Sequence, residues 1–375
     1  MTANAKNLST EVENYSMSDA NLASSVFVDA NDAITFASSL LTGQGVSAED
    51  SAAIATCLVQ ADLRGVQTHG MSRLPIYVKR VKRGLVNPAP SMKLTKPMAA
   101  CASLDGDNGF GFLVGIRAMR EAIEMAETCG VGVVSAHNSN HFGMAASYLL
   151  QAVTAGYFAF VFTNAAKSMP PWGGREGLFG TSPFGAAAPA GRLPPFVLDM
   201  SPAVAARGKI RLAEKRSESI PEGYALDENG QTTTDPTAAL RGVVLPIGTY
   251  KGSGISMLME ILSGVFSGAN FGGDVPDQYT VMDRPQNVGH FFMAMKPGIF
   301  VTEQGFRDRM DTLISRVKTN PLASGFDEIL IPGEIEASLE NERRKTGIPY
   351  AHSDLEILAK LASDYGVPEM KTKNS

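Results

Sequence analysis

Residues 131–164 read VGVVSAHNSNHFGMAASYLLQAVTAGYFAFVFTN. The apolar run VGVVSA predicts a short strand, MAASYLLQAVTAG a helix closed by Gly156, and FAFVFTN a second strand. Strand, helix and strand in that order ordinarily give parallel neighbours in one sheet. Between the first strand and the helix lies AHNSNHFG, which puts His137 and His141 just past a strand end, where α/β proteins place functional side chains. On a helix the HxxxH spacing would bring both imidazoles to one face, as a metal site needs. The intervening NSN predicts a turn instead, and no third ligand is evident. A metal-dependent lyase or hydrolase built on His137 and His141 is the competing reading from another class.

Outward from this stretch the same alternation continues. RAMREAIEMAETCG (117–130) predicts a helix ended by Gly130. FVLDMS (196–201) and HFFMAMKP (290–297) predict strands, and SGISMLMEILSGVF (253–266) a helix. The Gly- and Pro-rich loops PPWGGREGLFGTSPFGAAAPAG and LPIGTYKGSG are where a ligand is expected. The two ends of the chain have helical periodicity. DAITFASSLLTG and SAEDSAAIATCLVQADLRG come first, the second with Ser47 as N-cap and Gly65 closing it. MSRLPIYVKRVKR follows, with Pro75 in its first turn and Gly84 ending it. FRDRMDTLISRVK, ASLENERRKTG and DLEILAKLASDYG close the chain. NPAPS (87–91) punctuates the sequence like a domain crossing.

The bulk numbers exclude several classes. A chain of 375 residues can form two domains, and 44% hydrophobic with 19% charged residues is ordinary for a globular protein. A formal charge of -5 argues against nucleic acid as the main partner. The three cysteines, Cys57, Cys101 and Cys129, form no CxxC pair and are expected as free thiols in a reducing compartment. No apolar run of about 18 residues predicts a membrane span. The N-terminus has no basic start followed by an apolar run, so residues 1–25 are expected to be a disordered polar tail and the protein cytoplasmic. The sequence contains no GxGxxG, no GxxxxGK[ST], no GxSxG and no HExxH.

Of the five histidines, His69 stands in RGVQTHGMSRLPIY (64–77), flanked by Thr68 and Gly70 and followed by Arg73. A histidine titrates near working pH and an arginine pairs bidentately with a carboxylate, so the two suit acid–base work on an organic acid. Arg64 is expected to be a helix C-terminal cation and KRVKRG (79–84) a solvated face or helix end. Asp199 falls within an apolar strand, where a carboxylate needs a partner. It either caps the turn at SPA, orients a histidine, or meets a cofactor hydroxyl. Lys251 and Gly252 precede a helix and favour an anion.

Taken together, RGVQTHGMSRLPIY, NSNHFGMAASY, PWGGREGLFGTSPFGAAAP, LDMSPAVAARGKI, SIPEGYALDENGQTTTDP, KGSGISMLMEILSG and GHFFMAMKP resemble the malate/L-lactate/L-sulfolactate dehydrogenase family. They run in the family's order over roughly residues 30 to 350. The resemblance implies an α/β (α+β) protein with a non-Rossmann NAD(P)-binding domain on a mixed, largely antiparallel sheet, which displaces the parallel-sheet expectation. It places the NAD(P)-binding domain at 91–304. Residues 26–90 and 305–375 would form a mostly helical substrate and dimerisation domain. The implied activity is hydride transfer between NAD or NADP and a small 2-hydroxy acid by a homodimer. The alternative within the family is reduction of a cyclic imine acid such as Δ1-piperideine-2-carboxylate. Residue by residue, the resemblance makes His69 or His141 the acid–base, and Arg73 and Tyr77 line the substrate. Asp199, Met200, Ser201, Lys251, Gly252 and, more loosely, Arg309 lie against the cofactor, and no metal is required. TNAAKSMPPW departs from the family's NxSP loop and introduces Lys167.

Overall fold

The computed structural model describes residues 25–373. The expected N-terminal tail lies, apart from Ser25, outside them. The chain opens with β1 (Val26–Val28), α1 (Ala30–Thr42), α2 (Ala48–Leu63) and α3 (Leu74–Lys82). The middle holds β2 (Lys93–Met98), β3 (Cys101–Asp105), α4 (Gly111–Cys129), β4 (Val131–Ser139), α5 (Ala146–Thr154) and β5 (Phe158–Thr163). Next come β6 (Lys167–Met169), β7 (Phe179–Gly180), β8 (Phe184–Ala188), β9 (Phe196–Met200) and α6 (Arg207–Arg216). Three two-residue strands follow: β10 (Ala225–Leu226), β11 (Thr232–Thr233) and β12 (Val243–Val244), with α7 (Pro236–Arg241) between the last two. The remainder is α8 (Tyr250–Glu260), β13 (Val288–Met295), α9 (Glu303–Lys318), α10 (Glu334–Thr346), β14 (Ile348–Tyr350) and α11 (His352–Tyr365).

The described residues divide into two compact units, one of residues 83–186 and 199–296, the other of residues 25–82, 187–198 and 297–373. In the first, β3, β4, β13 and β5 are consecutive members of a seven-stranded sheet ordered β2-β3-β4-β13-β5-β8-β9. β3 and β4 are parallel; β2 runs antiparallel to β3, and β13 antiparallel to both β4 and β5. The opening stretch therefore does form a strand, a helix and a parallel strand, but β4 and β5 are not neighbours. β13, which arrives more than 120 residues later, sits between them with Phe292 opposite both Val134 and Val161. Its alternating burial, with His290, Phe292 and Ala294 inside, suits a central strand covered on one face by α4. Around Phe292 the rings of Phe142, Tyr148 and His290 pack together, with Phe142 stacked on His290 at a centroid distance of 4.8 Å. A smaller layer in the same unit, of α6, α7 and the three-stranded sheet β11-β10-β12, closes over Ile210, Ile220, Ala225 and Val244.

In the second unit α1 and α2 pack on each other, and β1 pairs antiparallel with β14. α1 buries Ala33, Phe36, Ala37, Leu40 and Leu41, spaced i, i+3, i+4, i+7 and i+8, the stripe an amphipathic helix needs. Ser47 accepts from the Asp50 N–H at 3.1 Å, as expected of an N-cap. Arg64 is the C-terminal cap residue of α2 and pairs with Glu340 at 3.0 Å. The basic run 79–84 is not uniformly solvated: Lys79, Lys82 and Arg83 are exposed, whereas Arg80 is 1% exposed. Helical spacing from Tyr77 carries Arg80 onto the buried stripe of Leu74, Tyr77, Val78 and Val81. No helix among the described residues is long and apolar enough to cross a membrane.

Candidate active site

The segment after α2 does not continue as one helix. Gln67–His69 and Met71–Arg73 are two consecutive 3-10 turns broken at Gly70. A side chain at Gly70 would overlap the carboxylate of Asp62, which explains a glycine after His69 without any appeal to backbone freedom. Asp62 Oδ2 accepts from the Met71 N–H at 2.9 Å and so holds the start of the second turn. The two turns bring His69 and Arg73 into electrostatic contact: burial, and then the Arg73 guanidinium, push the imidazole down to about 3. His69 is therefore neutral at physiological pH. Its Nδ1 lies 3.0 Å from Thr68 Oγ1, and Arg73 Nε donates to the Thr68 carbonyl at 2.5 Å. Tyr77, one turn into α3, is 3% exposed.

In the unit that contains the sheet, Asn138, one residue before the end of β4, adopts a positive φ of 50°. The loop beyond is tied down by asparagines. Asn138 donates its N–H to Asn287 Oδ1 at 2.8 Å and its amide to Asp105 Oδ1 at 2.9 Å, and Asn140 donates to the Gly109 carbonyl at 2.9 Å. The Gly111 start of α4 lies so close that a Cβ there would overlap the Asn140 carbonyl. His141 is thus carried on a rigid loop, half-buried. Its Nδ1 accepts from the Gly143 N–H at 3.3 Å, so the neutral ring carries its proton on Nε2. His137, inside β4, lies across from Asp105, and its buried Nδ1 makes no hydrogen bond among the described residues. The bend at Asn138 removes the helical HxxxH geometry, and no group of three or more His, Cys, Asp or Glu among the described residues is arranged to hold an ion.

Asp199 lies within β9, one residue before its end, as expected, but its side chain is exposed rather than buried. Its Oδ2 accepts from the Ala146 N–H at 2.8 Å, at the uncapped N-terminus of α5 and five residues beyond His141. The turn at SPA is capped instead by Ser201, whose hydroxyl accepts from the Ala203 N–H at 3.2 Å and donates to the Thr181 carbonyl at 2.6 Å. Lys251 and Gly252 occupy the first turn of α8, which has no side-chain cap. Just before them Thr249 sits at φ 63°, a strained conformation for a β-branched residue that tends to mark functional turns. Ser253 accepts from the Trp172 N–H at 2.9 Å, which fastens this helix start to the 171–178 loop. The N–H groups of Lys251, Gly252 and Ser253 donate to the carbonyls of Gly248, Ile247 and Thr249, so what this helix start offers an anionic ligand is the exposed ammonium of Lys251 at a helix N-terminus. Lys167, exposed on β6, lines a cleft of about 510 Å³ with Arg175, Glu176 and Asp274. Arg309 is exposed on α9, in the other unit.

Three residues at or near these sites have no motif. Asp62 and Tyr350 meet beneath the His69 segment at 2.8 Å. His290, fully buried, bridges Thr163 Oγ1 at 2.7 Å and Ser139 Oγ at 2.9 Å below the His141 loop, and burial pushes it down to about 3. The only available signal was a polar residue inside an apolar pattern.

A family model described as malate/L-lactate dehydrogenase matches residues 28–359. The chain is 39% identical over 323 residues to the L-sulfolactate dehydrogenase of Methanocaldococcus jannaschii, covering 86% of this chain and 92% of that one. It is 35% identical over 350 residues to the malate dehydrogenase of Pyrococcus abyssi, covering 91% and 96% respectively. The solved sulfolactate dehydrogenase of M. jannaschii superposes with a TM-score of 0.87 at 37% identity, over 91% of this chain and 98% of that one. The chain belongs to the malate/L-lactate dehydrogenase family.

Proposed function

We propose that this member of the malate/L-lactate dehydrogenase family transfers hydride between NAD or NADP and a small 2-hydroxy acid of the malate, lactate or sulfolactate type. The observation that carries the reading is the adjacency of His69 and Arg73: an imidazole kept neutral by burial and by the guanidinium next to it. Oxidation of a 2-hydroxy acid needs a base for the hydroxyl proton and a cation for the carboxylate. Arg73 holds the carboxylate through its fork. The bound carboxylate offsets the guanidinium field on His69 and raises the proton affinity of the ring as substrate arrives. His69 then takes the hydroxyl proton, and in the reverse direction returns it to the 2-oxo acid. When bound, the nicotinamide cofactor accepts the hydride from the carbinol carbon. Lys251, at the start of α8, would pair with its phosphates, Gly252 would let the backbone approach it, and Asp199, Met200 and Ser201 would lie against it.

A homodimer is part of the same reading. Met257, Leu258, Val265 and Phe266, in the sheet-bearing unit rather than the helical one first expected to dimerise, are exposed within one short stretch of chain, an apolar display that a second subunit would cover. Sedimentation equilibrium reporting a monomer at micromolar concentration would remove that part.

The reading is tested by a panel of 2-oxo acids, with a cyclic imine acid included, assayed with NADH and NADPH in parallel by absorbance. Turnover of a short 2-oxo dicarboxylate, 3-sulfopyruvate or pyruvate is expected. Turnover of the cyclic imine alone would shift the assignment to imine reduction. No oxidation of either coenzyme with any acid would refute it.

A further inference from the structure

Asp62 lies in the last turn of α2 and is 1% exposed. Its Oδ2 accepts two hydrogen bonds, from the Met71 N–H at 2.9 Å and from the Tyr350 hydroxyl at 2.8 Å. Its Oδ1 makes none among the described residues, and the Gly70 backbone lies against it. Arg343, from α10, donates to the Asp62 carbonyl and attracts the carboxylate. A buried carboxylate is a costly way to hold a turn, since an amide would accept the same two bonds without a charge. The acid lies directly against the turn, with the Met71 N–H on its Oδ2 and the residue that follows His69 against its Oδ1.

We propose that Asp62 is a positioning residue: its carboxylate, steadied by Tyr350 and Arg343, clamps the Met71–Arg73 turn and so sets the placement of His69 and Arg73, and its ionisation switches that placement on. The proposal rests on the reading of His69 and Arg73 given above. Desolvation pushes Asp62 up to about 7, opposed by the Met71 N–H, Tyr350 and Arg343, while Asp354 on α11 adds to the rise. The charged and titratable groups of the surrounding elements are few. The 67–73 segment offers His69 and Arg73, α10 offers Arg343 and a Glu340 already paired with Arg64, β14 offers Tyr350, and α11 offers Asp354. α1, packed on α2, turns apolar side chains inward. Tyr350 is held well above its usual range, so it stays a donor while Asp62 titrates.

The test is kcat/KM of the full chain, for the best 2-oxo acid of the panel, between about pH 5 and 9, a quantity that reports groups of the free enzyme. Wild type is expected to lose activity on acidification through a step near neutrality. Asp62→Asn keeps both hydrogen bonds but removes the charge, so it is expected to abolish that step and to hold the low activity of the acid side across the whole range. Asp62→Ala frees the turn and is expected to lose about 10²-fold, with KM raised. An Asp62→Asn profile with the wild-type step intact would overturn the proposal, and it decides the matter even if Asp62→Ala does not fold. His69→Asn and Arg73→Gln serve as controls. If they leave kcat/KM unchanged, the underlying reading falls and this proposal with it. If they lose activity while Asp62→Asn titrates like wild type, the Asp62 proposal alone is refuted.

Discussion

His69 shows how one side chain is set by two neighbours that sequence spacing reveals unequally. Thr68, Gly70 and Arg73 are legible around it. The reason for Gly70, a carboxylate eight residues earlier in the chain, is not, because no spacing rule links a helix end to the turn that folds back on it. The same geometry makes a quantitative statement about charge. Arg73 adds to burial in lowering the His69 pKa, so Arg73→Gln should raise it. Imidazole 15N shifts followed by NMR would reveal the change, and an unmoved titration would mean that the guanidinium does not act on the ring. Arg73→Lys replaces a planar fork by a point charge and should raise KM for the acid at least about 10-fold, with a smaller change in kcat. A KM equal to that of wild type would remove Arg73 as the carboxylate partner.

Among the elements, the long helices and the apolar strands β4, β5, β9 and β13 were legible from periodicity, and the cap at Ser47 and the stops at Gly65, Gly130 and Gly156 fell where expected, whereas the short or exposed strands, such as β2, β3 and β10 to β12, and the helices α6 and α7 carry no such pattern. The pairing of strands was not. VGVVSA and FAFVFTN look like parallel neighbours because nothing local marks β13 as the strand that separates them; only its run of buried residues hints at a central position. The exposure of Asp199 was illegible for a related reason. An acid in an apolar strand looks buried, yet near the end of β9 the carboxylate is exposed and accepts from the N-terminus of α5. Asp199→Ala should therefore destabilise the sheet-bearing unit by about 1 kcal/mol, the usual loss of a capping oxygen. A denaturant midpoint unchanged by the substitution would contradict the capping role.

For the whole molecule, the buried titratable groups set the direction of the pH dependence. His69 and His290 are each depressed from an unfolded value of 6.5 to about 3. Their contribution is complete above the unfolded value and is lost as pH falls from about 6.5 toward 3. Asp62 has the opposite sign: raised from 3.8 to about 7, it favours the folded state at low pH and loses that contribution as pH rises through about 7. Burial also raises the carboxyls of Glu260 and Asp354, which oppose the histidines together with Asp62. The sign is therefore read from variants: between about pH 4 and 6.5 the Tm of Asp62→Asn should rise with pH more steeply than that of wild type, and the Tm of His290→Gln less steeply. A His290→Gln slope equal to that of wild type would contradict the burial of this imidazole. Division of the chain into units was legible only in outline, because the short excursion 187–198 into the second unit carries no compositional mark.

The measurement that bears most directly on the whole account is steady-state reduction of the preferred 2-oxo acid by His69→Asn and His141→Asn, each beside wild type with its Tm recorded. With His69 as the proton carrier, His69→Asn should lose at least about 10²-fold in kcat while folding normally, and the loss should exceed that of His141→Asn. A folded His69→Asn variant that turns over like wild type would contradict it.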